Sequence, residues 1–145
     1  MAVLDEERTT ARGLFGYSRA YWSAGVHLDE AKLKERHASA PVRFLLYHSI
    51  ELYLKTFLRV QGLNVKQLYQ LGHEHRKLGK RAVSRGLELM EEDLDLLRLM
   101  DQTDAYLRSK YIETGFVSSP SIKALRSLCD RLDDMVARAF YEEGL

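Results

Sequence analysis

Residues 41–60 read Pro41-Val-Arg-Phe-Leu-Leu-Tyr-His-Ser-Ile-Glu-Leu-Tyr-Leu-Lys-Thr-Phe-Leu-Arg-Val60. Val42, Phe44, Leu45, Leu46, Ile50, Leu52, Tyr53, Leu54, Phe57 and Leu58 distribute apolar surface around much of a helical circumference. A helix apolar on most sides belongs inside a protein, so this stretch is expected to be the central helix of a bundle. Proline suits a first helical turn because its missing N–H would have no intrahelical partner there. Gly62 follows as a C-terminal stop.

The flanking segments carry the same period. Leu14, Tyr17, Tyr21, Ala24 and Leu28 recur at spacings of three and four, which predicts a helix with those residues on its inner face. Gly13, Gly16 and Gly25 weaken that helix intrinsically, so packing must hold it, with a neighbour in close approach. A short helix is expected from about His73 to Arg85, with Leu78 and Ala82 inward, and another from about Glu91 to Tyr111 with an acidic first turn. The last is expected to start at Ser119 as N-cap with Pro120 just inside, and Ile122, Leu125, Leu128, Leu132, Met135 and Ala139 mark its apolar face. No segment alternates like a strand. The expected fold is all-α: an antiparallel, up-and-down bundle of about five helices in one domain over 1–145, its core about 14–140.

Twenty-two Lys and Arg balance 21 Asp and Glu, which excludes a protein that binds polyanions through bulk charge. The balance is not evenly spread. Residues 73–86 hold Arg76, Lys77, Lys80, Arg81 and Arg85 against Glu74, a net of +4, and residues 88–104 hold seven acids against Arg98, a net of −6. Two adjoining faces attracting each other across a turn is the simpler expectation, and a phosphate-binding footprint on the basic helix is the sharper one. With Cys129 the single cysteine, one chain can build neither a disulfide nor a thiolate zinc site. Met1 to Arg12 lacks the apolar run of a signal peptide, and charges break every apolar run before membrane-spanning length. The expectation is a cytoplasmic protein without a membrane segment.

On the central helix His48, Glu51 and Lys55 form a polar stripe at spacings of three and four. They describe either a solvated face or a cleft lined by an imidazole, a carboxylate and an ammonium. His73 and His75 flank Glu74, but residues two apart point to different sides of a helix, so no metal site is expected. Cys129 adjoins an apolar stripe and reads as a buried, inert thiol. No nucleophile elbow or phosphate-binding glycine loop is present.

The run Phe44-Leu-Leu-Tyr-His-Ser-Ile-Glu-Leu-Tyr-Leu-Lys55, then Gly62, then Gly72-His73-Glu74, resembles the HEPN domains (higher eukaryotes and prokaryotes nucleotide-binding). In that family an E-x-x-L-K-like helix is followed by a glycine and a G-H-[D/E] turn. Tyr111-Ile-Glu-Thr-Gly115 and Ser119-Pro120 look like the end of the family's penultimate helix and the loop after it. The resemblance implies a helical bundle, commonly a homodimer. Its members are RNases of toxin–antitoxin and defence systems, partners of nucleotidyltransferase-like proteins, or binders of nucleotide or RNA, and no cofactor is implied. On this basis the expected function is non-catalytic binding of nucleotide or RNA phosphate in a cleft of His48, Glu51, Lys55, His73, Arg108 and Tyr111. Lys55 and Arg108 would contact phosphate, Tyr111 would stack or hydrogen-bond, and Glu51 would orient Lys55. The family's metal-independent RNase branch carries R-x4–6-H. Here that spacing occurs as Arg43-Phe-Leu-Leu-Tyr-His48, with Phe44 where the family has a polar residue and in an earlier helix. An RNase would use Arg43 against phosphorane charge and His48 as acid or base. A third class is an oligomerising partner without ligand, whose dimer surface would include Phe15, Tyr17, Tyr21 and Trp22.

Overall fold

A computed structural model describes residues 6–108 and 119–145, with the backbone alone for 105–108. Those residues form six helices and no strand: α1 (Ala11–Glu30), α2 (Ser39–Val60), α3 (Val65–Leu71), α4 (His75–Ser84), α5 (Glu91–Arg108) and α6 (Ile122–Glu142). As its composition requires, α2 is the central helix and packs against each of the other five. Leu46, Tyr47, Ile50, Tyr53, Leu54 and Leu58 on it are buried, and Leu78, Leu97, Leu125, Leu128 and Leu132 close over them from α4, α5 and α6.

Among the described residues the helices number six, in keeping with an all-α bundle of about five with one short helix added. Between Gly62 and Gly72, a stretch too short to show a period, α3 forms behind a capping box. The Asn64 side chain accepts the N–H of Gln67, and the Gln67 side chain accepts the N–H of Asn64. The start of α6 is also shifted. Ser121, not Ser119, caps it by accepting the N–H of Ala124 at 3.1 Å, and Pro120 lies just outside, buried.

The inner face of α1 is rotated from the expected one. Tyr17 is 66% exposed, and the buried line is Ser18 and Gly25, flanked by Leu14, Phe15, Trp22 and Leu28. Small residues lie innermost because α1 and α2 approach closely. A Cβ on Gly25 would stand 2.7 Å from Cδ2 of Leu46, and Ser49 Oγ donates to the Ser18 carbonyl at 2.8 Å. Phe15 and Trp22 turn inward onto Tyr53 and Phe140, so the aromatics of α1 mostly serve this chain's own core. Gly79 plays the same part in α4, where a Cβ would run into the Leu97 side chain of α5.

Polar ties between helices hold the frame. Asp93 near the start of α5 accepts the Met90 N–H and receives both guanidinium arms of Arg131 from α6. Asp133 of α6 receives Arg19 of α1 in the same two-pronged way and also the Tyr53 hydroxyl. Cys129 is buried as expected, and burial pushes its thiol up to about 12, which keeps it protonated and unreactive. Among the described residues no helix is long and apolar enough to cross a membrane.

Candidate functional site

One turn of α2 separates Glu51 from Lys55, and Gly72 brings a third group to them. Its φ of 69° ends α3 in a conformation that disfavours other residues, and the chain turns back so that His73 meets α2. Glu51 is 2% exposed, and one of its oxygens, Oε2, accepts both the Lys55 ammonium at 3.1 Å and His73 Nδ1 at 2.9 Å. Burial alone pushes the Glu51 carboxyl up. The Lys55 charge and the His73 hydrogen bond outweigh that and hold it below the ordinary carboxylate range. Three of the expected site residues are therefore one cluster, with an exposed imidazole held by a buried carboxylate. The Lys55 charge is largely compensated inside it.

The others are placed differently. His48 stands edge-on to Tyr21 of α1, with ring centroids 4.4 Å apart. Arg43 Nε donates to the Pro120 carbonyl at 3.0 Å, tying α2 to the entry of α6. Five residues along a helix rotate the side chain by about 140°, so Arg43 and His48 are directed at different neighbours. The Arg108 side chain and the whole of Tyr111 lie outside the described residues.

His75 is a component that the spacing of the histidines did not reveal. It is fully buried at the first position of α4, while His73 is exposed. Its Nδ1 is 2.9 Å from Oδ1 of Asp101 on α5, and its Nε2 is 3.1 Å from the Tyr47 carbonyl on α2. Asp101 also accepts the N–H of His75 at 2.7 Å and of Arg76 at 3.0 Å. Burial pushes the Asp101 carboxyl up, and the His75 ring and the two backbone donors more than reverse it, so it stays ionised. No sequence signal pointed to it. In the structure Glu74 at the N-cap makes no side-chain cap, and the free N–H groups of α4 find their acceptor on α5.

Beyond that end, α4 turns its charges outward. Arg76, Lys77, Lys80 and Arg81, with Leu71, Glu74, Ser84 and Asp101, line an open groove of about 670 Å³. The expected mutual pairing of basic and acidic helices does not occur through these four. Among the described residues none of them forms an ion pair, whereas Asp101 and Asp93 of α5 pair with His75 and Arg131. Glu88, Glu91, Glu92 and Asp95 are exposed. Among the described residues no three His, Cys, Asp or Glu side chains gather as a metal site.

Comparison with protein-family models, with curated proteins and with solved structures finds no match in any of the three. Of the residues expected to form a site, Glu51, Lys55 and His73 meet in space.

Proposed function

We propose that this chain is a HEPN-like helical domain that binds the phosphates of a nucleotide or RNA without cleaving them, and that α4 is the binding element. The observation that carries this is the groove in which four cations outnumber the two carboxylates, Glu74 and Asp101, and form no ion pair among the described residues. Unpaired Lys and Arg on one helical face hold condensed anions that a polyphosphate ligand displaces, and this release drives association. Lys55 is a weaker phosphate contact than its position suggests, because Glu51 already holds its ammonium. The family resemblance adds a homodimer and a nucleotidyltransferase-like partner in a toxin–antitoxin or defence pair, and the single cysteine and the N-terminal composition add a cytoplasmic setting.

The test is a fluorescence anisotropy titration with a labelled single-stranded RNA of about a dozen nucleotides, a length within the range that single binding folds cover. Binding with a Kd of about 10⁻⁴–10⁻⁶ M at physiological salt is expected, and the RNA recovered afterwards should be intact on a denaturing gel. Absence of binding over that range contradicts the proposal. RNA shortened in EDTA, with cleavage lost in Arg43→Ala and His48→Ala, would establish the RNase in its place.

A further inference from the structure

The N-terminus of a helix is the usual seat for a single phosphate, because its first N–H groups point outward and the helix dipole is positive there. In α4 that seat is taken. Asp101 accepts the N–H of both His75 and Arg76, and the buried ring of His75 grips the same carboxylate from behind. The ring is fixed in turn by the Tyr47 carbonyl. Moving the carboxylate aside would strip a buried imidazole nitrogen and two backbone donors of their acceptor. An arriving phosphate therefore meets a fixed negative charge where the converging donors of α4 would otherwise serve it.

What remains is charge on flexible stems. Arg76 and Lys80 form one row along the groove and Lys77 and Arg81 a second, each pair separated by about 6 Å of helical rise. The neighbouring cluster of Lys55 and His73 has the buried Glu51 at its centre. We infer that the α4 groove selects the repeating phosphodiester backbone of RNA over the clustered terminal phosphates of a free nucleotide, with Asp101 as the residue that sets this preference. The inference rests on α4 being the phosphate-binding element. A mononucleotide concentrates its charge at one point and needs donors that converge on that point. A chain spreads one charge per nucleotide and is held by cations that are likewise spread.

The experiment is competition against the bound labelled RNA, in EDTA, by unlabelled RNA and by ATP at equal phosphate concentration. RNA should displace the probe, and ATP should require at least about tenfold more phosphate, a gap of about 1.4 kcal/mol. ATP competing as well as RNA overturns the inference and leaves phosphate binding by α4 intact. RNA failing to bind at all defeats the reading of α4 itself. In Asp101→Asn, shown folded by circular dichroism, the side chain keeps an acceptor oxygen for α4 but loses its negative charge, and ATP should narrow the gap. A folded variant with the gap unchanged removes Asp101 from the explanation. Should the variant not fold, the wild-type competition decides alone.

Discussion

Lys80→Glu combined with Arg81→Glu is expected to weaken RNA binding by about 100-fold while moving the melting temperature by no more than about 2 °C. Both side chains are exposed on α4, and neither is in an ion pair among the described residues. Among the described residues no ion pair depends on their charge, and the favourable place of Arg81 in the last turn of α4 is a small exposed effect, so the change costs about 0.5 kcal/mol. The ligand depends on it heavily. Each reversal removes one attraction and adds one repulsion, and the two positions border the same groove. Lys34→Glu with Arg36→Glu, in the exposed segment between α1 and α2, makes the same change in net charge away from α4. It should reduce affinity by only about threefold, through the general field of the protein. Equal losses in the two double variants would show that binding follows net charge and not the groove.

Removing the Asp101 side chain is expected to have the largest effect on the fold. Asp101→Ala withdraws the acceptor of two backbone N–H groups and leaves Nδ1 of a fully buried histidine without its partner. Removing a half-buried carboxylate that accepts three charge-assisted hydrogen bonds, one of them from a fully buried ring, costs about 3 kcal/mol. For a chain of this size that lowers the melting temperature by about 10 °C. The pH dependence follows from the depressed Asp101 carboxyl. A carboxyl held below its unfolded value contributes fully above that value, about 3.9 for aspartate, and loses the contribution as pH falls through its folded value. Urea midpoints of wild type and variant should therefore differ most near neutrality and converge in acid. A difference under about 1 kcal/mol at neutral pH would show that α4 is held by its apolar residues alone.

The contrast between these two predictions marks what could be read from the chain and what could not. The central helix was legible because the apolar residues of 42–58 exceed what one face needs, and a helix so composed has to be surrounded. Leu78 and Ala82 were legible as inward residues because they are one turn apart in an otherwise charged segment. The face of α1 was misjudged because aromatic rings dominate any apolar count. The closest approach to α2 is instead made by Ser18 and Gly25, which such counts overlook. Glu51 and Lys55 were legible as a pair from their spacing, and His73 joins them through a glycine turn that local pattern suggests without positioning. Asp101 was not legible at all. It lies 26 residues from the histidine it holds, and only the packing of α4 on α5 brings them together. The basic helix was visible as charge, but whether its cations were already paired was a question for three dimensions.

The salt dependence of RNA binding tests the central claim most directly, because it counts the phosphates that α4 neutralises. Single-stranded nucleic acid gives a slope of about −0.7 per neutralised phosphate in log K against log salt. Engagement of the groove by three to four cations therefore predicts a slope of about −2 to −3 for wild type, falling toward −1 in Lys80→Glu with Arg81→Glu. A wild-type slope near zero, or a slope unchanged by the reversal, would contradict phosphate binding at α4.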